Sequence, residues 1–197
     1  MSWRVRRVVT GHDSKGRSTF IADGPAPNFK EMVGFSGLFL TDLWETGAAP
    51  ASNEGLIDAA ARPVRLEPPK NGTILRIVEF PPDSAWRGST DGAAGFKAIG
   101  AAHAADKSSR DPMMHKTSTV DYIIVLKGEI YAVLETGEKL LRPGDVLVQR
   151  GTNHSWSVRG NEPCIVAAVL VSAKPVGKAP LKPAKKAKKA KAKKKKK

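Results

Sequence analysis

From Val120 onward, short apolar runs alternate with turn residues at intervals of about ten positions, a rhythm that predicts a β-sandwich or barrel. Tyr122-Ile123-Ile124-Val125-Leu126 is apolar and β-branched, and Lys127-Gly128 closes it. Glu129 to Leu134 follows and ends at Glu135-Thr136-Gly137-Glu138, which has the composition of a hairpin turn. Lys139-Leu140-Leu141 runs into Arg142-Pro143-Gly144-Asp145, where proline presets φ and glycine accepts a positive value. Val146 to Gln149, Ser155 to Val158 and Ile165 to Val171 complete the series, with Arg150-Gly151-Thr152-Asn153 as a further turn. No stretch of helical period interrupts it.

Upstream the pattern is looser. Trp3–Val9 and Arg17–Ala22 flank a polar loop containing His12 and predict a hairpin. Gly34 to Trp44 reads as another strand, and Gly47 to Arg62 as a soft Ala/Gly/Pro-rich linker. Thr73 to Phe80 is a strong strand stopped by Pro81-Pro82, with Arg76, Val78 and Phe80 on one face. Trp86 to Met114 forms a long insertion. Within it Ala93 to Asp106 fits a short helix or a mobile lid, and His103 there is expected to face solvent.

The punctuation of the second half carries a resemblance. Asp121 is followed by six residues and Gly128, and Pro143-Gly144-Asp145, Gly151 and His154 keep a G-x-x-H spacing. This layout resembles the two motifs of the cupins, with Asp121 at the position of their glutamate. The chain departs from those motifs in four places. A single His115 replaces the H-x-H pair, five residues separate it from Asp121, Gln149 stands for a proline, and Val158 stands for the closing asparagine. The resemblance implies an all-β fold, a jelly-roll or double-stranded β-helix barrel. Residues 1–110 would be an N-terminal β extension, linker and insertion that complete it. Residues 111–173 would be the core barrel, and 174–197 a disordered lysine-rich tail.

It also implies a site. His115, Asp121 and His154 make a set of two imidazoles and one carboxylate that suits Fe, Zn, Mn, Ni or Cu and leaves positions open for water or substrate. Asp is one methylene shorter than Glu, so the barrel wall would have to come closer to the ion. Gln149 and Trp156 are candidates for the cavity lining. Arg76 would hold a substrate carboxylate if it faced inward, but the rim or surface is its expected place. The plain alternative is that Asp121 caps a strand and His154 is a turn histidine bonded to backbone.

Charge changes the picture at one end only. The net charge is +14, and the 13 lysines of residues 174–197 account for all but +1 of it. That tail has no acidic residue and three prolines, so self-repulsion keeps it from packing. Its expected roles are nonspecific attachment to nucleic acid, resembling linker-histone tails, or a solubilising extension, with an anionic membrane surface behind both. It has no arginine, amide or aromatic side chain to read base edges. A single cysteine, Cys164, cannot pair within the chain, which suggests a reducing, cytoplasmic setting. No secretory leader and no membrane span are expected.

There is no G-x-S-x-G, no Walker loop and no dinucleotide fingerprint after a strand. Any enzymatic activity would therefore sit in the barrel. The leading expectation is a metal-dependent lyase, isomerase or dioxygenase acting on a small oxygen-rich metabolite. The alternatives are a non-catalytic ligand-binding or sensory cupin tethered to nucleic acid by its tail, and a storage-like barrel with a filled core. Family resemblance further suggests a homodimer.

Overall fold

Eleven strands are assigned among residues 2–88 and 90–176, which are the residues this computed structural model describes. The lysine-rich tail expected at 174–197 lies outside them from residue 177 onward. In chain order the strands are β1 (Arg6–His12), β2 (Ser18–Pro25), β3 (Phe29–Glu31), β4 (Phe39–Thr46) and β5 (Thr73–Phe80). After a 3-10 turn at Asp83–Ala85 and the short helix α1 (Gly92–Ala98) come β6 (Thr119–Lys127), β7 (Ile130–Leu134) and β8 (Gly137–Leu141). The last are β9 (Val146–Arg150), β10 (His154–Ser157) and β11 (Cys164–Ser172).

These strands make a six-stranded sheet in the order β3-β4-β5-β11-β6-β9, a three-stranded sheet β10-β7-β8, and a separate β1-β2 ribbon. Every pairing is antiparallel. The six-stranded sheet draws β3 to β5 from the first half of the chain and β6, β9 and β11 from the second. Because side chains alternate across a strand, register decides what faces the interior. Arg76, Ala168 and Ile123 are cross-strand neighbours, and so are Val78, Val166 and Val125. All six are buried. The core lies between the two larger sheets and extends under α1, where Phe35 touches both Trp86 and Phe96.

The strand expected over Gly34 to Trp44 begins later, at Phe39, and runs on to Thr46. Gly34 and Gly37 hold φ near +76° and +80°, which turns the chain before the strand starts. Of the helix-or-lid segment expected over residues 93–106, only Gly92–Ala98 is helical, capped by the Asp91 side chain accepting from the Ala94 amide. Gly95 is where α1 meets the 33–35 turn. A β-carbon there would sit 2.5 Å from the Phe35 ring and 2.7 Å from the Val33 carbonyl, so glycine permits the approach.

Candidate functional site

His115 lies outside any named strand, yet it forms an isolated antiparallel bridge to His154, the first residue of β10. Each residue's amide donates to the other's carbonyl at 2.9 Å. Directly opposed residues of an antiparallel pair project to the same side. The two imidazoles therefore meet, with ring centroids 4.2 Å apart. The five residues between His115 and Asp121 do not turn the His115 ring away from the interior, because the bridge fixes its direction. A second bridge, from His115 to Ala105, ties the insertion to the same place.

Backbone contacts also set the chemistry of both rings. His115 Nδ1 lies 2.8 Å from the Met113 carbonyl, and His154 Nδ1 lies 2.9 Å from the Thr152 carbonyl. A carbonyl only accepts, so each Nδ1 carries the hydrogen and each neutral ring keeps its lone pair on Nε2. Burial disfavours the imidazolium in both. It lowers the pKa of His115 and takes that of His154 down to about 3, with the neighbouring His115 adding to the depression at His154. This is the anchored, neutral state in which histidine serves as a base or a metal ligand.

Asp121 lines the same cavity as the two rings, together with Arg76, Trp156 and an apolar wall of Val78, Phe80, Ile123, Val166, Ala168 and Leu170. The cavity measures about 70 Å³. Asp121 is 5% exposed, and its Oδ1 is the one carboxylate oxygen among the described residues that is buried without a hydrogen-bond partner. Burial raises its pKa to about 6, against a Thr119 hydrogen bond and the Arg76 charge, while Glu67 pushes the same way as burial. Orphaned buried oxygens are rare because each costs about 1–3 kcal/mol.

Arg76 is not at the rim or surface, where the sequence placed it. It is 2% exposed, with Nε 2.6 Å and Nη2 3.1 Å from the two oxygens of Asp42, and Nη2 also donates to the Arg65 carbonyl. Asp42 and Arg76 face each other in register across β4 and β5, which is why the pair forms. Arg62 contacts Asp42 and Glu45, and Arg65 contacts Glu45, extending the network away from the cavity. Gln149 neighbours Asp121 in register, but its amide turns to Thr152 and it lines a different hollow with Ala132, Leu134 and Leu147. Trp156 does line the His115–His154 cavity.

The remaining histidines stand elsewhere. His12 ends β1, and His103 is largely exposed and bonded to Glu67. Cys164 is fully buried, and burial pushes its thiol pKa up to about 12, the state of an inert core thiol. Among the described residues no helix is long and apolar enough to cross a membrane.

The donor chemistry of the cavity suits a divalent ion: two anchored neutral imidazoles and an orphaned carboxylate oxygen. Among the described residues, though, no three His, Cys, Asp or Glu side chains come together as a metal-holding group. What the geometry assembles is the two-histidine half of the set, with Asp121 in the same cavity wall.

No protein-family model matches the chain. It is 30% identical over 158 residues to the oryzines biosynthesis cluster protein J of Aspergillus oryzae, covering 78% of this chain and 74% of that protein. It is 27% identical over 180 residues to the cupin-domain-containing oxidoreductase virC of Hypocrea virens, covering 88% and 78% respectively. Among solved structures, the Cnp3 cupin domain of Schizosaccharomyces pombe superposes with a TM-score of 0.44 at 11% identity, over 86% of this chain and 89% of that one. With antiparallel sheets around a common core, a buried pair of histidines and relatives of this kind along most of its length, the chain belongs to the cupin-domain proteins.

Proposed function

We propose that this cupin is an enzyme that binds a small oxygen-bearing metabolite inside the barrel, at His115, His154 and Asp121. The observation that carries the reading is the His115–His154 pair, held 4.2 Å apart with both tautomers fixed by backbone carbonyls. A divalent ion would be held by these two histidines, and it would supply Lewis-acid or redox chemistry to a bound oxygen. The similarity to a protein named as an oxidoreductase supports the redox choice among the reactions open to such a site.

The chain's own residues supply the rest. The Nε2 lone pairs of His115 and His154 face no competing protonation at neutral pH, because burial keeps both rings neutral. Asp121, raised to about 6, lies close enough to neutrality to take up or release a proton at its free Oδ1. Phe80, Trp156 and the aliphatic wall keep bulk water from the reacting group. Arg76, already engaged by Asp42, acts on Asp121 through its charge rather than as a hand for the substrate.

A second reading is favoured by the lack of a three-donor group among the described residues: a ligand-binding cupin without catalysis. Its basic tail would then hold it to nucleic acid in a salt-dependent manner. Elemental analysis and metal titration of the full chain separate the two. Near-stoichiometric Fe, Mn, Ni, Cu or Zn that is lost in His115→Ala/His154→Ala, with the β circular-dichroism spectrum kept, is the expected result. Full-chain protein that takes up no metal after reconstitution with each ion would overturn the metalloenzyme reading.

A further inference from the structure

His154 and Trp156 on β10 line the cavity, so Ser155 and Ser157 point to the other side of the strand, where both are buried. Each serine hydroxyl donates at 2.6 Å to a carboxylate, Ser155 to Oδ2 of Asp111 and Ser157 to Oδ2 of Asp83. Arg87 pairs with both carboxylates, 2.8 Å from Asp83 and 3.1 Å from Asp111. Its Nη2 also donates to the Trp156 carbonyl at 3.0 Å. The back of β10 is therefore gripped at two points, behind the very residues that face the cavity.

The two grips lead to different places. Asp83 lies in the 3-10 turn after β5, and its second oxygen accepts from the Val158 amide at 3.0 Å, further along the same strand end. Asp111 opens the turn that leads into His115. Its Oδ1 accepts from the Met113 amide at 3.0 Å, and its carbonyl accepts from the Met114 amide at 3.1 Å. The Met113 carbonyl is the group that holds His115 Nδ1 at 2.8 Å. One carboxylate thus joins Ser155, the chain neighbour of His154, to the turn that anchors the His115 ring. His115 depends on such support because only isolated bridges, and no strand, fix its place. The His154 ring is anchored independently, by the Thr152 carbonyl.

We infer that Asp111, backed by Arg87, is the positioning residue of the site: by tying the 111–113 turn to Ser155 it sets the His115 ring against His154. Asp111 does not line the cavity itself. The inference rests on reading His115 and His154 as the working pair, and it names what keeps them paired. Outer partners that orient a ligating histidine typically change metal affinity about 10–100-fold.

Matched serine variants of the full chain test this. Ser155→Ala and Ser157→Ala each delete one buried hydroxyl bonded to a carboxylate at the same distance, so both are expected to lower the denaturant midpoint by similar amounts. Solvent exchange of the His115 Nδ1 proton, followed by nitrogen-edited NMR in chelator-treated protein, separates them. Exchange is expected to quicken about tenfold or more in Ser155→Ala and to stay within about twofold of wild type in Ser157→Ala, with the His154 proton steady in both. Asp111→Ala is expected to act as Ser155→Ala does, and Asp111→Asn, which keeps an oxygen for the Met113 amide, to recover part of the protection. Equal exchange in the two serine variants, or an unchanged His115 proton in Ser155→Ala, would overturn the inference. Metal titration of the same samples keeps its failure apart from that of the metalloenzyme. Wild-type protein that takes up none of the candidate ions sinks the metalloenzyme alone, because the exchange measurement needs no metal. Ions held as tightly by Ser155→Ala as by Ser157→Ala sink the positioning role alone.

Discussion

Two aspartates are buried on the interior face of the same six-stranded sheet, and their surroundings are opposites. Asp42 on β4 is fully buried, and its two oxygens are matched by Arg76 and Arg62. Asp121 on β6 is buried nearly as well, yet one of its oxygens has no partner and its pKa is pushed up to about 6. A buried charge that is paired on both oxygens fixes the chain around it, here the 58–66 segment against β4 and β5. A buried charge left half-satisfied costs stability, and such cost is tolerated where a ligand or proton has to be received. On the proposed function, the contrast sets a structural polar cluster against a functional one.

The largest effect expected from breaking the comparison is on the structural side. Arg76→Met removes the main partner of a fully buried carboxylate and is expected to cost about 3–5 kcal/mol, read as a large drop in the denaturant midpoint. A loss under 1 kcal/mol would mean that Arg62 alone satisfies Asp42.

Next comes acid sensitivity in chelator-treated protein. The folded pKa of His154 lies below its unfolded value, so the unfolded chain binds the extra proton and stability falls as pH drops from about 6.5 toward about 3. His154→Gln is expected to blunt that fall, by about 3 kcal/mol at pH 4 relative to pH 8. An unchanged pH–stability curve would show that His154 is not held neutral by the fold.

Asp121 has the opposite sign. Its folded pKa is above its unfolded one, so its contribution is fully favourable below about pH 3.8 and is lost as pH rises through about 6. In chelator-treated protein Asp121→Asn should therefore stabilise at pH 8 by about 1–3 kcal/mol and bring little gain at pH 3.5. A variant destabilised at pH 8 would place a hydrogen-bond donor against Oδ1 and remove the orphan from the account. The control sits at the surface: Arg159→Ala breaks an exposed pair with Glu138 and is expected to cost less than about 0.5 kcal/mol.

Much of this was legible in the sequence, and the reason is local. Thr73–Phe80 was bounded by its own alternation and by Pro81-Pro82, and the strands from β6 to β11 by β-branched runs between turn residues. That Arg76, Val78 and Phe80 share a face followed from period two alone, and all three line the cavity. The same reasoning could not tell that Arg76 would be buried, because its partner lies 34 residues away and is aligned by a register irregularity between Asp42 and Trp44. The Asp42–Arg62–Glu45–Arg65 cluster was missed for the same reason. A charged residue in a central strand pattern, such as Asp42 beside Leu40 and Trp44, was the one available signal.

The site was legible in its types and not in its arrangement. His115 and His154 stand out by spacing, but their mutual approach depends on a bridge between segments that carry no strand pattern at His115. The role of the insertion was open between ornament and lid. In the fold, Phe96 and Ile99 are buried and line a hollow together with Met113 and His115. Short, alanine- and glycine-rich helices announce little by periodicity, and their place is set by the surfaces they cover.

The central claim is that His115 and His154 form the reactive centre of the barrel, and a crystal structure of the full chain grown with Mn²⁺ or Zn²⁺ tests it most directly. The account expects one anomalous peak in the cavity, about 2.1 Å from Nε2 of both histidines, with Asp121 turned toward the ion or its water. Ions found only at surface carboxylates, with the His115–His154 pair unligated, would contradict it.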